Sequence, residues 1–254
     1  MRRSLSFLIY LLTGLTGLLA FSYPLLFPQQ AATTISTPLL TTMLLLLSLG
    51  VLLVEVQGQV ISAKIIAALG VLVAITAVLR FIEVAIPGPG GFSPVFVPII
   101  LAGYVFGSRF GFLMGVMTLL ASGLITGYVD PLLPYQMFAA GWVGLSAGWL
   151  PQVKRPSTQL AMLALFSFSW GLLYGAILNL YVWPLMFNGN NATGNPWQPF
   201  LEFYLSTSLW WDMGRALGNI GLMLILGTPT IRTLQRFYGR ILFRQINHIP
   251  ATQS

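Results

Sequence analysis

Two acid–base pairs stand out in a chain with few charges: Arg80 with Glu83, and Asp212 with Arg215, each spaced i, i+3. That spacing puts both side chains on one helix face, where they can pair. Each pair lies in an otherwise apolar run, and charge within a membrane span is costly and marks function or pairing. Asn219 follows one turn beyond Arg215. Arg80 and Glu83 fit either a structural pair at an outer interface or a ligand site. Asp212, Arg215 and Asn219 fit either a polar pocket open to the outside or helix–helix glue. Aromatic and amide side chains gather at the same expected face: Trp170, Tyr174, Asn179, Tyr181 and Trp183 in one run, Asn188, Asn190, Asn191 and Trp197 after it, and Trp210 and Trp211 beside Asp212. An interfacial aromatic belt explains several of these. An aromatic-lined cavity with a few convergent polar groups is also what an organic small molecule requires. The candidate ligand-binding set is therefore Arg80, Glu83, Phe92, Tyr135, Gln136, Trp170, Tyr174, Asn179, Trp211, Asp212, Arg215 and Asn219.

Catalytic equipment is missing from the pattern. The single histidine is His248, near the end of the chain, and there is no cysteine. No span carries paired acids suited to a metal–diphosphate, so no metal and no cofactor is expected. Ser122, in Ala121-Ser122-Gly123, has no base partner in the sequence and reads as a packing serine. There is no P-loop, no selectivity-filter sequence or ring of like charge, and no evident inverted repeat.

The elements that must position these residues are membrane spans. The 254 residues are 56% hydrophobic and 7% charged, against roughly a quarter charged in a soluble domain. Apolar stretches near the ~20 residues of a transmembrane helix recur at 5–27, 39–54, 63–86, 93–107, 110–127, 135–150, 159–186 and 203–228. The expected fold is an all-α integral membrane protein of about eight transmembrane helices. The Met1-Arg2-Arg3 start and the run after it read as a retained helix, because no small-residue cleavage site follows. The fourth span is short and carries Pro94 and Pro98, which predicts tilt, a kink or partial re-entry.

Basic residues are retained in short cytoplasmic loops. With the N-terminus inside, Arg2, Arg3, Lys64, Arg109, Lys154, Arg155, Arg232, Arg236, Arg240 and Arg244 all fall inside; the other two of the twelve are Arg80 and Arg215. This orientation places both termini in the cytoplasm of a bacterial plasma (inner) membrane. The net charge of +7 then reflects topology rather than nucleic-acid binding. Arginines 232, 236, 240 and 244 recur every four residues, with Phe237, Ile241 and Leu242 on other faces. This predicts a basic amphipathic tail over 229–254 lying against membrane lipid, or docking a partner. A row of small residues, Ala63, Ala67, Gly70, Ala74 and Ala77, shares one face of the third span and suits close approach of another helix, within the bundle or from a partner subunit.

The run Pro87-Gly-Pro-Gly-Gly-Phe-Ser-Pro-Val-Phe-Val-Pro-Ile-Ile-Leu-Ala-Gly-Tyr-Val-Phe-Gly-Ser-Arg-Phe-Gly-Phe-Leu-Met-Gly115 resembles the substrate-binding membrane subunits, or S components, of energy-coupling factor (ECF) vitamin transporters. The likeness is clearest over 63–150; the last two spans fit by topology. It implies a six-helix substrate-binding core over 63–228, preceded by two additional helices within 1–62. It also implies that Ala63, Ala67, Gly70 and Ala74 dock on a transmembrane coupling subunit served by two ATPase subunits. The loop Pro87 to Ser93 would cap a vitamin or cofactor precursor entering from outside. The many outer aromatics and amides suit a bulky, mostly neutral ligand of cobalamin-like character. A self-sufficient transporter or channel, a structural membrane subunit, and an enzyme using Asp212 and Arg215 are the competing readings; the last lacks a base and metal ligands.

Overall fold

The computed structural model describes residues 63–86, 89–130, 132–186 and 197–246, with Leu15, Gly17, Leu19, Phe21 and Met43. Within them the chain is helical, with no strand. The elements are α1 (Ala63–Ala85), a 3-10 turn (Pro89–Gly91), α2 (Phe96–Phe106), α3 (Ser108–Thr126), α4 (Leu133–Ala147), α5 (Pro156–Met186), α6 (Trp197–Phe203) and α7 (Leu209–Ile246). A π turn at Tyr204–Ser208 joins α6 to α7 without a break. Helix is the expected outcome for such sequences, because a backbone in hydrocarbon must satisfy its own N–H and C=O groups. Lys64–Ala85, Ser108–Thr126 and Pro156–Trp183 are long and apolar enough to cross a membrane, and Phe96–Phe106 is a shorter apolar helix. The crossings expected at 5–27 and 39–54 lie almost wholly outside the described residues.

The short fourth span becomes α2, eleven residues held in the middle of the bundle. Ile99, Ile100, Leu101, Ala102 and Tyr104 are almost completely buried. The helix stops at Gly107, whose φ of 97° lies where L side chains are strained, and α3 starts at the next residue. Gly103, Gly111 and Gly144 then meet backbone to backbone: a Cβ on Gly103 or Gly111 would run into the Gly144 carbonyl, and one on Gly115 into that of Ala140. Small residues at four-residue intervals on α3 and α4 thus let the two backbones touch. Asp130 starts α4 by accepting hydrogen bonds from the Leu132 and Leu133 amides at 3.1 and 2.8 Å. At the opposite end of α4 the loop to α5 is pinned to α2: Tyr104 donates to the Pro151 carbonyl (3.3 Å) and accepts from the Gln159 amide (3.0 Å).

The small-residue row on α1 divides. Ala77 is fully buried, whereas Ala67, Gly70 and Ala74 are exposed, and a Cβ on Gly70 would meet nothing within 4 Å. The face of α1 that carries Ala67, Gly70 and Ala74 is exposed, while Ala68 and Val73 on another face of the same stretch are buried. Phe21 from the first expected span is buried and packs edge-on against Tyr135 of α4 at 5.1 Å between ring centroids. Gly17 sits so close to Trp142 that a Cβ there would come within 2.8 Å of the indole. Gly17 and Phe21 therefore pack on α4.

Candidate functional site

The two acid–base pairs come together where α1, α5 and α7 meet near the end of the bundle that carries the Pro89–Gly91 turn. Arg80 pairs with Glu83 on α1, and Ser93, just before α2, donates its hydroxyl to Glu83 Oε2 at 2.8 Å. Asp212 pairs with Arg215 on α7 through Oδ1. Arg215 also lies 5.5 Å from the centre of the Tyr174 ring on α5 and reaches the Gly171 carbonyl at 3.4 Å. Tyr174 joins the pairs: the charges of Arg80, Glu83 and Arg215 all bear on its hydroxyl, and Arg215 also acts on Glu83. Phe96 closes the other side of Tyr174, edge to face at 4.7 Å. Two arginines and two carboxylates thus form one charge-balanced cluster shared by three helices.

Local sequence explains why α5 and α7 can approach so closely here. Gly175 lies directly against the Asp212 carboxylate and Gly171 against the Ala216 backbone, so any side chain at either glycine would displace its neighbour. Asp212 is 3% exposed and Asn219 is fully buried. Asn219 donates to the Ser167 carbonyl at 3.5 Å. Among the described residues, Asp212 Oδ2 and Asn219 Oδ1 make no hydrogen bond of normal geometry, although the Tyr204 phenol interacts with the Asp212 carboxylate. An unmet buried acceptor costs about 1–3 kcal/mol, and the desolvation of buried ions costs several kcal/mol more. Packing alone does not call for that expense.

The loop after α1 lies over this region. Gly90, with its carbonyl against Gly214, and Gly91, against the Trp211 carbonyl, both have positive φ (59° and 68°). The Phe92 ring rests on Gly218, where a side chain would collide with it. The strap therefore seats on the α7 stretch between Asp212 and Asn219, and glycines on both partners permit the contact.

Of the candidate residues, Arg80, Glu83, Tyr174, Asp212 and Arg215 share the cluster, Phe92 covers it, and Asn219 lies one turn below on α7. Tyr135 belongs to a second group: it stacks on Tyr181 of α5 at 3.8 Å, and the two phenols interact with each other but make no hydrogen bond of normal geometry among the described residues. Trp170 packs against the apolar core. Gln136 and Asn179 are half-buried on α4 and α5, outside the hydrogen bonds of the cluster. The Trp211 side chain is 59% exposed, and its carbonyl and the edge of its indole lie against the strap at Gly91. Ser93, Gly175 and Phe96 belong to the site and escape sequence reasoning. Only Ser93, next to Phe92 in a loop already under suspicion, left a signal.

A family model described as "ECF transporter, substrate-specific component" matches residues 64–227. No curated protein and no solved structure matches the chain. The matched stretch covers well over half of the sequence and takes in the whole cluster, from Arg80 to Asn219. The chain therefore belongs to the family of ECF transporter substrate-specific components, membrane subunits of a transport system.

Proposed function

We propose that this subunit captures an organic vitamin or cofactor precursor from outside the cell, at the Arg80–Glu83–Asp212–Arg215–Tyr174 cluster beneath the Gly90–Ser93 strap. The observation that carries the reading is a pair of partly buried ion pairs on different helices, one of which packs its Arg215 guanidinium over the Tyr174 ring and holds a buried Asp212. The cluster is charge-balanced, so a ligand that brings no net charge leaves no buried charge uncompensated. Asp212 Oδ2 and Asn219 Oδ1 are acceptors, which favours a ligand presenting N–H or O–H donors. A bulky, largely neutral cofactor of cobalamin-like character fits these demands.

The exposed small face of Ala67, Gly70 and Ala74, continued by Ala63, then docks on a transmembrane coupling subunit driven by two ATPase subunits, in a plasma membrane with both termini cytoplasmic. A thermal-shift and mass-spectrometry screen of the purified chain against vitamins and their precursors tests the capture step. A ligand at 100 times its dissociation constant stabilises by about 2.7 kcal/mol. A hit names the substrate, whereas a folded protein that binds nothing in the panel favours a structural subunit or an autonomous transporter.

A further inference from the structure

The Asp212 carboxylate is held from three sides, and the third holder comes from outside the cluster. Gly175 of α5 lies against both of its oxygens, and Arg215 pairs with Oδ1. The third is Tyr204, whose phenol interacts with the carboxylate. Tyr204 precedes Asp212 by eight positions. In an unbroken α-helix that spacing turns the two side chains about 80° apart, at ~100° per residue. The π turn over Tyr204–Ser208, in which the Leu209 amide donates to the Tyr204 carbonyl, takes up one extra residue. Across it the two stand as if roughly seven positions apart, within about 20° of one another. The π turn therefore brings Tyr204 onto the face of Asp212, and such turns occur frequently at functional sites.

The ring is seated from its other side. Tyr204 stacks on Phe200 of α6 at 6.3 Å between centroids, and Phe200 packs edge-on against Trp183 of α5 at 5.9 Å. Tyr204 is half-buried, Asp212 almost completely so. The strap covers α7 from Trp211 to Gly218, and Tyr204 covers Asp212 from the side away from Asn219. Yet Asp212 Oδ2 makes no hydrogen bond of normal geometry among the described residues. The phenol is close without satisfying the acceptor. An incoming donor reaches the carboxylate by displacing one of its two polar partners. Releasing Arg215 strands a cation over the Tyr174 ring with no carboxylate left to it, and a desolvated unpaired charge is the costlier outcome. Tyr204 is neutral and half-buried, so its released hydroxyl regains water at small cost. The phenol is the partner that yields.

We propose that Tyr204 is a displaceable cap on the Asp212 acceptor: its phenol covers the carboxylate before a ligand arrives and gives way to an N–H or O–H donor of that ligand. This makes Tyr204 a specificity-determining residue. Only a ligand whose donor aligns with Oδ2 better than the phenol does recovers the contact that it displaces. The ligand half of the inference rests on the capture reading, whereas the cap is a property of the chain alone.

The test is carboxylate footprinting of the full chain in nanodiscs with a water-soluble carbodiimide and glycine ethyl ester, read residue by residue by mass spectrometry. Tyr204→Phe keeps the ring on Phe200 and removes the hydroxyl. Asp212 should then label about fivefold faster than in the wild type, with Glu83 and Asp130 unchanged. Deleting Thr207, exposed in the π turn, restores the α register and should raise Asp212 labelling to the same degree, with no further rise when both changes are combined. Unchanged labelling of Asp212 in Tyr204→Phe overturns the proposal, as does an equal rise at all three carboxylates, which would report a loosened bundle. Cyanocobalamin supplies the ligand arm. It should protect Asp212 from labelling in both proteins, at about fivefold lower concentration in Tyr204→Phe. Protection at an equal or higher concentration in the variant overturns the cap, the higher one making the hydroxyl a ligand contact. Protection in neither protein contradicts the capture reading, and the labelling contrast without ligand still decides the cap.

Discussion

The α3–α4 seam and the α5–α7 seam both rest on small residues, yet only the second buries charge. On α3 and α4, Gly111 faces Gly144 and Gly115 faces Ala140, backbone against backbone, with apolar Met114, Val116 and Val143 around them. On α5 and α7, Gly171 and Gly175 make equally close contacts, but what they admit is Asp212 and, beside it, Arg215. The first seam is what membrane packing favours: close approach and no polar group to satisfy. The second accepts a desolvation cost that an apolar pair would avoid. A seam more expensive than stability requires is where function is to be sought.

Substitutions can break or sharpen that contrast. The largest effect is expected from Gly144→Leu, whose side chain must enter the Gly111 backbone; a loss above ~4 kcal/mol should leave no monodisperse protein in size-exclusion chromatography. Asp212→Ala strands the Arg215 guanidinium in a buried site. It should cost about 3–5 kcal/mol in denaturant unfolding, whereas the double change Asp212→Leu with Arg215→Met should recover most of that loss. If the single and double variants are equally unstable, the charge is structural after all. Gly175→Ala places a methyl on the Asp212 carboxylate and is expected to cost about 1–3 kcal/mol, with weakened ligand binding by calorimetry. Ser93→Ala removes the hydroxyl donor to Glu83 and should cost roughly 1 kcal/mol. The smallest effect on stability belongs to Gly70→Leu, where the side chain enters open space. Its melting temperature should not fall, while co-purification with a coupling subunit should.

Much of the helical layout was legible in the sequence, because the apolar runs from 63 to 186 fall on α1 to α5, although among the described residues only three helices are long and apolar enough to cross a membrane. Both ion pairs were legible as well, since i, i+3 spacing forces them onto one helix face. What the sequence hid was three-dimensional register. That Tyr174 would bring the α1 pair and the α7 pair together depends on α5 lying between them, which no local pattern encodes. Gly175 looked like one of 26 glycines and acquires meaning only through its contact with Asp212. Tyr135 was expected beside the charges; it instead stacks on Tyr181, two turns along α5 from Tyr174. Trp211 looked compelling next to Asp212, but adjacent residues on a helix point about 100° apart, so one is buried and the other exposed. The tail's continuity with α7 was hidden in the same way, since it goes with the burial of Ile231 and Leu234 and the packing of Tyr238 on Phe106 beyond Pro229.

The most direct measurement is calorimetric titration of an identified ligand into the wild type and into the folded Asp212→Leu, Arg215→Met double variant. If the cluster is the capture site, the double variant melts near the wild-type temperature and binds at least about a hundredfold more weakly, or about 2.7 kcal/mol. Binding of the same ligand with unchanged affinity by the folded double variant would contradict the account and return the two ion pairs to the role of helix glue.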